Sequence, residues 1–549
     1  MRSILGTLLA LLLASPAAAD PRVDALFAAY DGNDSPGCVA AVSRGEEVLH
    51  RAAYGMASLE LQAKNTADTV MQAGSIGKQF TAAAVLLLAA DGKLAIADSI
   101  RAYVPELPRY ADEVTLEHLL HHTSGIRDFG ELLWIAGGKD DDPDSFDSVL
   151  ALLSRQRRLD FAPGTRFSYS GSGYLLLAVA VQRITGTSLA AFARERLFVP
   201  LAMHDTHFRE DAGSIVPRRA TGYRPQPGGG WRLGVYVSDT YGHGNLFTTA
   251  GDLLKWQRNF ATAAVGGAEL LERLQRPGRL ASGEPTGWGM GLRLWDNGDI
   301  GHEGRDFGYQ ASLTRNPATG LAIAVLCNGR DIDAWTLGRG ITAVYAPPAR
   351  AATVPPAPAP RAEDGAAEPG SAPTPAALAR YAGTYANPLT LAVRNVELRD
   401  GGLVWARGEG TQLVPLGGAR FRFAGDATEV RFRQGGGGVA GLDVVGADGS
   451  TPYTRVEPFA GGSLAGYAGR YHSDEVAASP VVTVEDGAAL MFRYDPDFAF
   501  GARPVYADTF QIAEGMLVRF QRDRRGRVTG YEVDSQRARG VWFARIAEP

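Results

Sequence analysis

A proline- and alanine-rich segment, residues 346–375, is the feature that most constrains how this chain folds. The segment reads APPARAATVPPAPAPRAEDGAAEPGSAPTP and contains almost no bulky apolar side chain. A segment of this composition cannot bury a hydrophobic core and favours a semi-extended backbone. It therefore predicts a linker that divides the 549-residue chain into a first domain, residues 20–345, and a separately folding C-terminal region.

The C-terminal region contains an internal repeat. Residues 378–385 (LARYAGTY) return as residues 464–471 (LAGYAGRY). In both copies, short runs of alternating apolar and polar residues are separated by Asp-Gly or Gly-rich turns, which is typical of antiparallel strands. The repeat predicts two consecutive small antiparallel β-barrel domains, residues 376–458 and 459–549, with structural or substrate-gating roles.

The N-terminus has the organisation of a secretory signal peptide, residues 1–19. Arg2 precedes an apolar run, Ile4–Leu13, and Ala17–Ala19 supplies the small residues of a cleavage site. The alternative is a membrane anchor, but a spanning helix needs about 20 apolar residues and this run is shorter. No later stretch of the sequence reaches that length. We therefore expect a protein that is cleaved after Ala19, is periplasmic or secreted, and has no membrane span.

The charge and composition limit the classes of partner. The formal net charge is -5, which gives no electrostatic reason to expect nucleic acid or an anionic membrane as a partner. With 45% hydrophobic and 21% charged residues, the chain has the composition of a globular protein with a large core. The expected partner is therefore a small substrate.

The two cysteines lie at the ends of two apolar runs. Cys38 begins the run 38–42, and Cys327 ends the run 321–327. If these runs form neighbouring antiparallel strands, the start of one strand meets the end of the other, and an oxidising compartment permits a disulfide there. Two packed thiols, or two unrelated buried cysteines, are the alternatives.

Ser75 and Lys78 form an S-x-x-K motif directly before a strongly helix-forming stretch, residues 79–90. Three residues apart at the start of a helix, the two side chains lie on one face. A serine hydroxyl becomes a good nucleophile when a base takes its proton, and a partly desolvated lysine can be that base. Lysine is rare in this chain, and Lys78 alone has a serine three residues before it. The alternative is a surface lysine beside a helix-capping serine.

Two later motifs supply further groups. Tyr169 lies in the turn-rich loop 161–174, where a phenol could relay a proton as a general acid or base. His302 begins the motif His302-Glu303-Gly304, in which the glycine lets a strand edge approach a bound acyl group. Each residue alone is also compatible with a structural role, a tyrosine that packs its loop or a histidine at a strand end.

Taken in this order, the three motifs resemble those of the serine β-lactamase and penicillin-recognising hydrolase family. The similar branches are class C β-lactamases, DD-peptidases, D-aminopeptidases and related esterases, and the similarity spans about residues 25–345. The resemblance implies an α/β (α+β) fold with an antiparallel sheet flanked by helices and a mostly helical lobe. It also implies that the strands of Cys38 and Cys327 are neighbours.

The resemblance also implies the roles of the site residues. Ser75 would attack the carbonyl, Lys78 and Tyr169 would transfer protons, and the backbone N–H groups of Ser75 and Arg305 would form the oxyanion hole. His302 would complete the catalytic group and help to bind the polar end of the substrate. The substrate-binding positions would be Gly171, Glu303 and Gly304.

Two positions depart from the family pattern. Gly171 stands where many relatives have an asparagine that binds the substrate amide, and His302 stands where efficient β-lactamases usually have lysine. Both departures weaken recognition of a β-lactam without affecting the chemistry of an acyl-serine. They therefore favour peptide or ester hydrolysis over antibiotic hydrolysis.

The layout of H-x-G followed by two barrels resembles the D-aminopeptidases, in which the extra domains partly cover the active site and restrict it to small substrates. We therefore expect a D-stereospecific peptidase, aminopeptidase or amidase that acts on small or cell-wall-derived peptides through an acyl-enzyme on Ser75. The alternatives are a carboxylesterase of the same family, a β-lactamase, and a non-catalytic sensor of peptidoglycan or peptides.

Other catalytic classes find little support in the sequence. No strict G-x-S-x-G motif is present, and Ala73–Gly77 is the nearest approach, which disfavours a Ser-His-Asp hydrolase. His118, His121 and His122 cluster together but lack the spacing of metal ligands, so they are interpreted as structural. We expect neither a metal nor a cofactor.

Overall fold

The computed structural model describes residues 20–139, 142–234, 237–345, 373–406, 409–446, 449–496 and 498–547. The predicted signal peptide, residues 1–19, and most of the predicted linker, residues 346–372, lie outside the described residues. The described residues form a first domain of helices and strands followed by two closed antiparallel β-barrels, which confirms the predicted fold class.

The first domain combines one main sheet with a helical lobe. Its α helices are α1 (Pro21–Phe27), α2 (Lys78–Ala90), α3 (Leu116–Leu120), α4 (Phe129–Ile135), α5 (Phe146–Ser154), α6 (Gly171–Thr185), α7 (Leu189–Ala193), α8 (Ala250–Thr262), α9 (Gly267–Gln275) and α10 (Ala334–Tyr345). Short 3-10 or π turns are found at Ala28–Tyr30, Gly74–Gly77, Ile100–Ala102, Arg109–Ala111 and Arg194–Phe198.

The strands of the first domain are β1 (Cys38–Arg44), β2 (Glu47–Tyr54), β3 (Met56–Ser58), β4 (Ala63–Lys64), β5 (Met71–Gln72), β6 (His207–Phe208), β7 (Tyr223–Pro225), β8 (Trp231–Leu233), β9 (Leu246–Thr248), β10 (Arg293–Leu294), β11 (Ile300–Asp306), β12 (Tyr309–Asn316) and β13 (Leu321–Cys327). The main sheet is antiparallel with the order β10-β11-β12-β13-β1-β2. The remaining strands form the small sheets β3-β4, β5-β9-β6 and β7-β8.

Strands β1 and β13 form the centre of the main sheet. The helices α8 and α10 both pack on β13, and the alternate residues of β1 belong to two different hydrophobic cores. Burial on both faces explains why the two strands have uninterrupted apolar sequences. Cys38 at the start of β1 lies opposite Cys327 at the end of β13, and the structure joins them by a disulfide.

The helical lobe is built around α2 and α6. Helix α2 is buried from Lys78 to Leu88 and packs against α6, α7 and α9. A helix that is apolar on all sides is stable in water only when neighbouring helices surround it, and the Ala/Leu-rich sequence of α2 fits that position. Among the described residues, no single helix is long and apolar enough to cross a membrane, although the bent pair Gly171–Thr185 and Leu189–Phe198 passes by length and composition alone.

Each barrel is an up-and-down closed sheet of sequential strands. The first barrel contains β14 (Gly383–Ala386), β15 (Val393–Arg399), β16 (Gly402–Ala406), β17 (Thr411–Gly417), β18 (Arg420–Phe423), β19 (Glu429–Gly435), β20 (Gly438–Gly446) and β21 (Gly449–Val456), preceded by α11 (Pro375–Ala379). The second barrel contains β22 (Gly469–His472), β23 (Val481–Glu485), β24 (Ala489–Asp495), β25 (Phe498–Tyr506), β26 (Thr509–Ala513), β27 (Met516–Arg522), β28 (Val528–Asp534) and β29 (Val541–Ile546), preceded by a 3-10 turn, Leu464–Tyr467.

The second barrel docks on the first domain through a buried arginine. The Arg127 guanidinium donates to Glu475 (2.5 Å) at the end of β22 and to the carbonyl of Arg539 (2.6 Å) in the connection between β28 and β29. It also lies 3.2 Å from Asp160 of its own domain. Burial of an arginine requires that its charge and its N–H groups find partners, and here both domains supply them.

Candidate active site

Ser75 lies in the 3-10 turn Gly74–Gly77, and Lys78 is the first residue of α2. The Lys78 Nζ donates to the Ser75 Oγ across 3.1 Å and also donates to the backbone carbonyl of His243. The lysine is only 2% exposed, whereas Ser75 is half-buried and reaches the site surface. The structure therefore brings the predicted nucleophile and the predicted base into direct contact.

The surroundings of Lys78 favour its neutral form. Its Nζ lies 4.9 Å from the centroid of the Tyr169 ring and 5.7 Å from that of Tyr174. Burial lowers the pKa of Lys78 to about 7, while the carboxylates of Asp128 and Asp306 act in the opposite direction. An amine with this pKa is largely available as a base near neutral pH, which the attack by a serine hydroxyl requires.

Tyr169 immediately precedes α6 and places its hydroxyl in the site. Burial raises the pKa of Tyr169 well above its ordinary value, and the nearby Ser75 hydroxyl offsets only part of that effect. The hydroxyl is buried and has no hydrogen-bond partner among the described residues. Tyr169 is therefore a neutral phenol that can donate or relay a proton, and Lys78 is the better candidate for the initial base.

His302 lies on β11 and is 4% exposed. Its Nδ1 lies within hydrogen-bond distance of the Glu303 carbonyl, which can only accept, so Nδ1 carries the ring proton. Burial, together with the charge of Lys78, lowers the pKa of His302 to about 3. The Nε2 atom is buried without a partner among the described residues, and in this neutral tautomer it is a hydrogen-bond acceptor.

The glycine of the H-x-G motif lets β11 pack against the nucleophile turn. A Cβ atom at Gly304 would lie 2.0 Å from the Ala73 carbonyl oxygen, so no side chain fits there. Gly74 has a positive φ of 51°, and a Cβ there would lie 2.9 Å from the Arg305 backbone nitrogen. This close contact places the backbone of Arg305 beside that of Ser75, as an oxyanion hole formed by both N–H groups requires.

Two of the predicted substrate-binding residues have other contacts. Glu303 lies next to His302 on a strand, so its side chain points to the other face, where it pairs with Arg293 at 3.5 Å. Gly171 begins α6 and donates its N–H to Asp128 (2.6 Å). A Cβ at Gly171 would lie 3.3 Å from the same carboxylate, so Asp128 occupies the space next to this glycine.

His122 belongs to the histidine cluster that sequence analysis interpreted as structural, yet it lies in the site. Its ring packs 4.3 Å from that of Tyr169, and its Nδ1 accepts a hydrogen bond from the Ser170 backbone. Trp288 also packs on Tyr169 (5.5 Å) and on His302 (5.3 Å). These aromatic contacts hold Tyr169 and His302 in place. Neither His122 nor Trp288 lies in a sequence motif that identifies such a role.

A residue of the second barrel completes the site. Residues 535–540, which connect β28 to β29 and are here named the docking loop, bring Arg537 to the first domain. Its Nε and Nη2 donate to the Glu131 carboxylate at 3.1 and 2.8 Å, and its Nη1 lies 3.9 Å from the Asp128 carboxylate. Arg537 is 406 positions from Glu131 in the sequence, and no local pattern indicates this contact.

Among the described residues, no group of three or more His, Cys, Asp or Glu side chains is arranged to hold a metal ion. The side chains of the site offer a half-buried hydroxyl, a buried amine, a neutral phenol and a neutral imidazole. This set fits nucleophilic acyl transfer, with a serine activated by a neighbouring base.

Comparison with known proteins identifies the family. The family model described as Beta-lactamase matches residues 23–339. The chain belongs to the β-lactamase family. It is 27% identical to a D-aminopeptidase of Brucella ovis (strain ATCC 25840 / 63/290 / NCTC 10512) over 547 residues, which cover 96% of this chain and 99% of the relative. It is therefore a serine hydrolase of this family with the full-length layout of D-aminopeptidases.

Two solved structures share the fold. The octameric penicillin-binding protein homologue from Pyrococcus abyssi superposes with a TM-score of 0.51 and 17% identity, covering 88% of this chain and 94% of that one. The D-amino acid amidase from Ochrobactrum anthropi SV3, solved with L-phenylalanine, has a TM-score of 0.50 and 21% identity, covering 59% of this chain and 97% of that one. At these identities the likeness concerns the fold.

Proposed function

We propose that this serine hydrolase is a D-stereospecific aminopeptidase or amidase that acts on small peptides or amides through an acyl-enzyme on Ser75. The observation that carries the proposal is the state of His302. A neutral imidazole with a free acceptor atom cannot attract a carboxylate as a lysine does, but it suits an amine or amide N–H donor. The full-length similarity to D-aminopeptidases supports the same substrate class.

Acylation begins with the Ser75–Lys78 pair. Neutral Lys78 takes the hydroxyl proton as the Ser75 Oγ attacks the substrate carbonyl carbon, and the carbonyl oxygen becomes an oxyanion held by the N–H groups of Ser75 and Arg305. When the tetrahedral intermediate collapses, Tyr169 protonates the departing amine and recovers its proton from Lys78. The products are an ester on Ser75 and a free amine.

Deacylation uses the same groups in the reverse roles. A water molecule attacks the ester carbonyl, its proton passes to Lys78 directly or through Tyr169, and the second oxyanion occupies the same pair of N–H groups. Collapse of this intermediate returns the proton to the Ser75 Oγ and releases the carboxylic acid. Neutral Lys78 is thus regenerated at the end of each cycle.

Export is part of the same proposal. The Cys38–Cys327 disulfide supports it, because disulfides persist mainly in oxidising compartments such as the periplasm. In addition, the Asp20 backbone nitrogen donates to the His50 imidazole (3.0 Å), a contact that a chain cleaved after Ala19 would keep. We expect the mature protein to be recovered from the periplasm or medium with Asp20 as its first residue, as intact-mass measurement would show.

The substrate class is tested with a matched series of anilides. D-alanine p-nitroanilide should be hydrolysed about 100-fold faster than the L-enantiomer. Ser75→Ala is the catalytic control and should lose about 10³-fold or more in kcat. Faster hydrolysis of a short-chain aryl ester or of a penicillin would instead identify an esterase or a β-lactamase. A fluorophosphonate that fails to label Ser75 would indicate a sensor.

A further inference from the structure

The charges beside Lys78 come from two domains. Asp128, from the first domain, is almost fully buried and caps α4 through a hydrogen bond from the Glu131 N–H. Arg537, from the docking loop, lies against Asp128 and pairs with the Glu131 side chain. A backbone hydrogen bond from the Asp128 N–H to the Arg537 carbonyl (2.8 Å) fixes the two chain segments together. The backbone hydrogen bond and the opposite charges therefore both hold the Asp128 carboxylate and the Arg537 guanidinium close together.

Asp128 and Arg537 act on Lys78 in opposite directions. The Asp128 carboxylate accepts a hydrogen bond from the Gly171 N–H (2.6 Å), two residues after Tyr169, whose ring centroid lies 4.9 Å from the Lys78 Nζ. From this position the carboxylate favours the charged ammonium form of Lys78 and raises its pKa, whereas the Arg537 guanidinium, 3.9 Å from the carboxylate, disfavours that form. Asp128 is in turn the main cause of the raised pKa of Arg537. If Arg537 were absent, the carboxylate would act on Lys78 without a balancing cation in a site of low dielectric, where such effects are strong.

The first domain supplies no substitute for this cation at Asp128. The polar contacts that the described residues make to the carboxylate are the N–H groups of Gly171 and Glu131 and the guanidinium of Arg537. The two N–H groups are neutral dipoles. A domain that carried Asp128 without the docking loop would therefore have a buried carboxylate near its catalytic lysine and no positive charge against it.

We propose that Arg537 is a positioning residue that pairs with Asp128 and Glu131 and so offsets the effect of the Asp128 charge on Lys78. Through Arg537, the docked second barrel keeps Lys78 able to act as the catalytic base. The inference deepens the proposed function and rests on it. It assigns the second barrel an electrostatic part in catalysis.

Other groups around Lys78 belong to several elements and must be held constant in any test. They are Ser75 of the nucleophile turn, Tyr169 and Tyr174 at the start of α6, His122 after α3, His243 before β9, and His302 and Asp306 on β11. None of them changes in the variants chosen here.

The test measures the rate at which a fluorophosphonate labels Ser75 of the full-length chain as a function of pH. In wild type the labelling rate should fall at low pH, and the position of this acid limb should reflect the protonation of Lys78. Arg537→Met should move the limb upward by about one pH unit, which is about a tenfold slower rate at pH values below the limb. Asp128→Asn should move it downward, and the double variant should lie between the two single variants. Arg537→Lys, which keeps the charge, should leave the limb near that of wild type.

Undocking of the second barrel would also expose Lys78 to water and so could shift the limb. Further variants separate this explanation from the loss of the Arg537 charge. If Arg537→Met acted only by undocking, Asp128→Asn would not reverse its effect and Arg537→Lys would resemble Arg537→Met. Arg157→Gln is the matched control, since it removes an exposed ion pair with Asp474 across the same interface. It should leave the limb unchanged.

The outcomes distinguish this inference from the proposed function. An unchanged limb in Arg537→Met, or an upward shift in Asp128→Asn, overturns the role of Arg537 even when labelling and D-alanine anilide hydrolysis are normal. Absence of labelling in wild type overturns the acyl-serine function itself. Normal labelling with the expected shifts but no D-anilide hydrolysis supports the role of Arg537 and rejects the substrate class.

Discussion

The two barrels share one framework and differ in how they contact the rest of the chain. In the first barrel the Tyr385 hydroxyl donates to the Tyr381 carbonyl (2.7 Å), and in the second the Tyr471 hydroxyl donates to the Tyr467 carbonyl (2.6 Å). An arginine on the last strand of each barrel, Arg455 or Arg545, donates to the equivalent backbone carbonyl near the first strand. The repeated sequence thus preserves the same internal bonds twice.

The two barrels differ in the contacts that they make outside this shared framework. The apolar core of the first barrel forms a cluster of its own, whereas the core of the second barrel is continuous with that of the first domain. Trp134 of the first domain stacks on Phe500 of the second barrel at 4.9 Å, and the Tyr494 hydroxyl donates to the Ile135 carbonyl. One copy of the repeat has therefore become an integral part of the catalytic unit.

One connection between strands contributes to this difference. In the first barrel β20 ends at Gly446 and β21 begins at Gly449, but in the second barrel β28 and β29 are separated by the longer docking loop, residues 535–540. Within that loop Arg537 reaches Glu131, and Arg539 donates through its guanidinium to the Pro388 carbonyl of the first barrel (2.6 Å). Strand frameworks tolerate such changes in their loops, so the framework can be copied while the loop acquires a function.

The largest expected effect comes from breaking the docking of the second barrel. Glu475→Ala leaves the Arg127 guanidinium buried with part of its charge unpaired, which should destabilise the protein by about 3–5 kcal/mol. Activity on D-alanine p-nitroanilide should fall at least tenfold. Thermal unfolding and steady-state kinetics measure the two effects.

The corresponding change in the first barrel is Arg394→Ala. It removes a partly exposed ion pair between Arg394 and Glu514 of the second barrel. A pair with one exposed partner is worth about 1 kcal/mol or less, so stability and activity should stay close to wild type. Equal losses in Glu475→Ala and Arg394→Ala would contradict the asymmetry between the barrels.

A smaller effect concerns the pH dependence of activity. Because the pKa of Lys78 is lowered to about 7 and the neutral amine is the base, kcat/KM should rise with pH up to about 7 and then level off. Below that pH each unit should cost about tenfold in rate. Arg394→Ala should keep this profile, since it does not alter the groups near Lys78. A profile that falls between pH 5 and 7 would contradict the assignment of the base.

Stability should also depend on the ionisation of Lys78. Lys78 has a lower pKa in the folded protein than its ordinary value of 10.5, so its burial opposes folding at every pH below about 10.5 and most strongly below about 7. Lys78→Met should therefore be more stable than wild type by roughly 1–3 kcal/mol at pH 6, with the gain shrinking as pH rises toward 10.5. A pH-independent difference in denaturant unfolding would argue against a buried, shifted lysine.

The smallest effect tests the shared framework. Tyr385→Phe and Tyr471→Phe each remove the same buried hydrogen bond and should each destabilise their own barrel by about 1 kcal/mol. Only the loss in the second barrel should lower the unfolding temperature of the first domain, because the two share one core. Differential scanning calorimetry resolves the transitions, and an identical response to both variants would count against separate cooperative units.

Local patterns predicted much of this protein, and long-range contacts account for what they missed. The contact of Ser75 with Lys78 follows from helical spacing, and the two barrels follow from a repeat with strand periodicity. The reason for Gly171 was missed because it depends on Asp128, which is distant in sequence. Arg537 was missed for the same reason, since an arginine in a barrel loop has no local feature that points to another domain.

His122 illustrates a different limit. The spacing of the histidine cluster predicts a structural role but does not indicate what each ring contacts. The structure instead uses His122 as a flat, neutral ring that packs on Tyr169, and burial lowers its pKa far below the ordinary value. A packing role of this kind depends on the surrounding surface, which the spacing of residues along the chain does not encode.

The position of Arg537 also sets the order in which the enzyme becomes complete. A ribosome makes the first domain, with Ser75, Lys78 and His302, long before it reaches the docking loop, and domains tend to fold as they emerge. During that interval the nascent chain carries its nucleophile and its base without the cation that balances Asp128. A chain that ends anywhere before residue 537 would therefore lack this cation, and full activity would report that synthesis had passed that point.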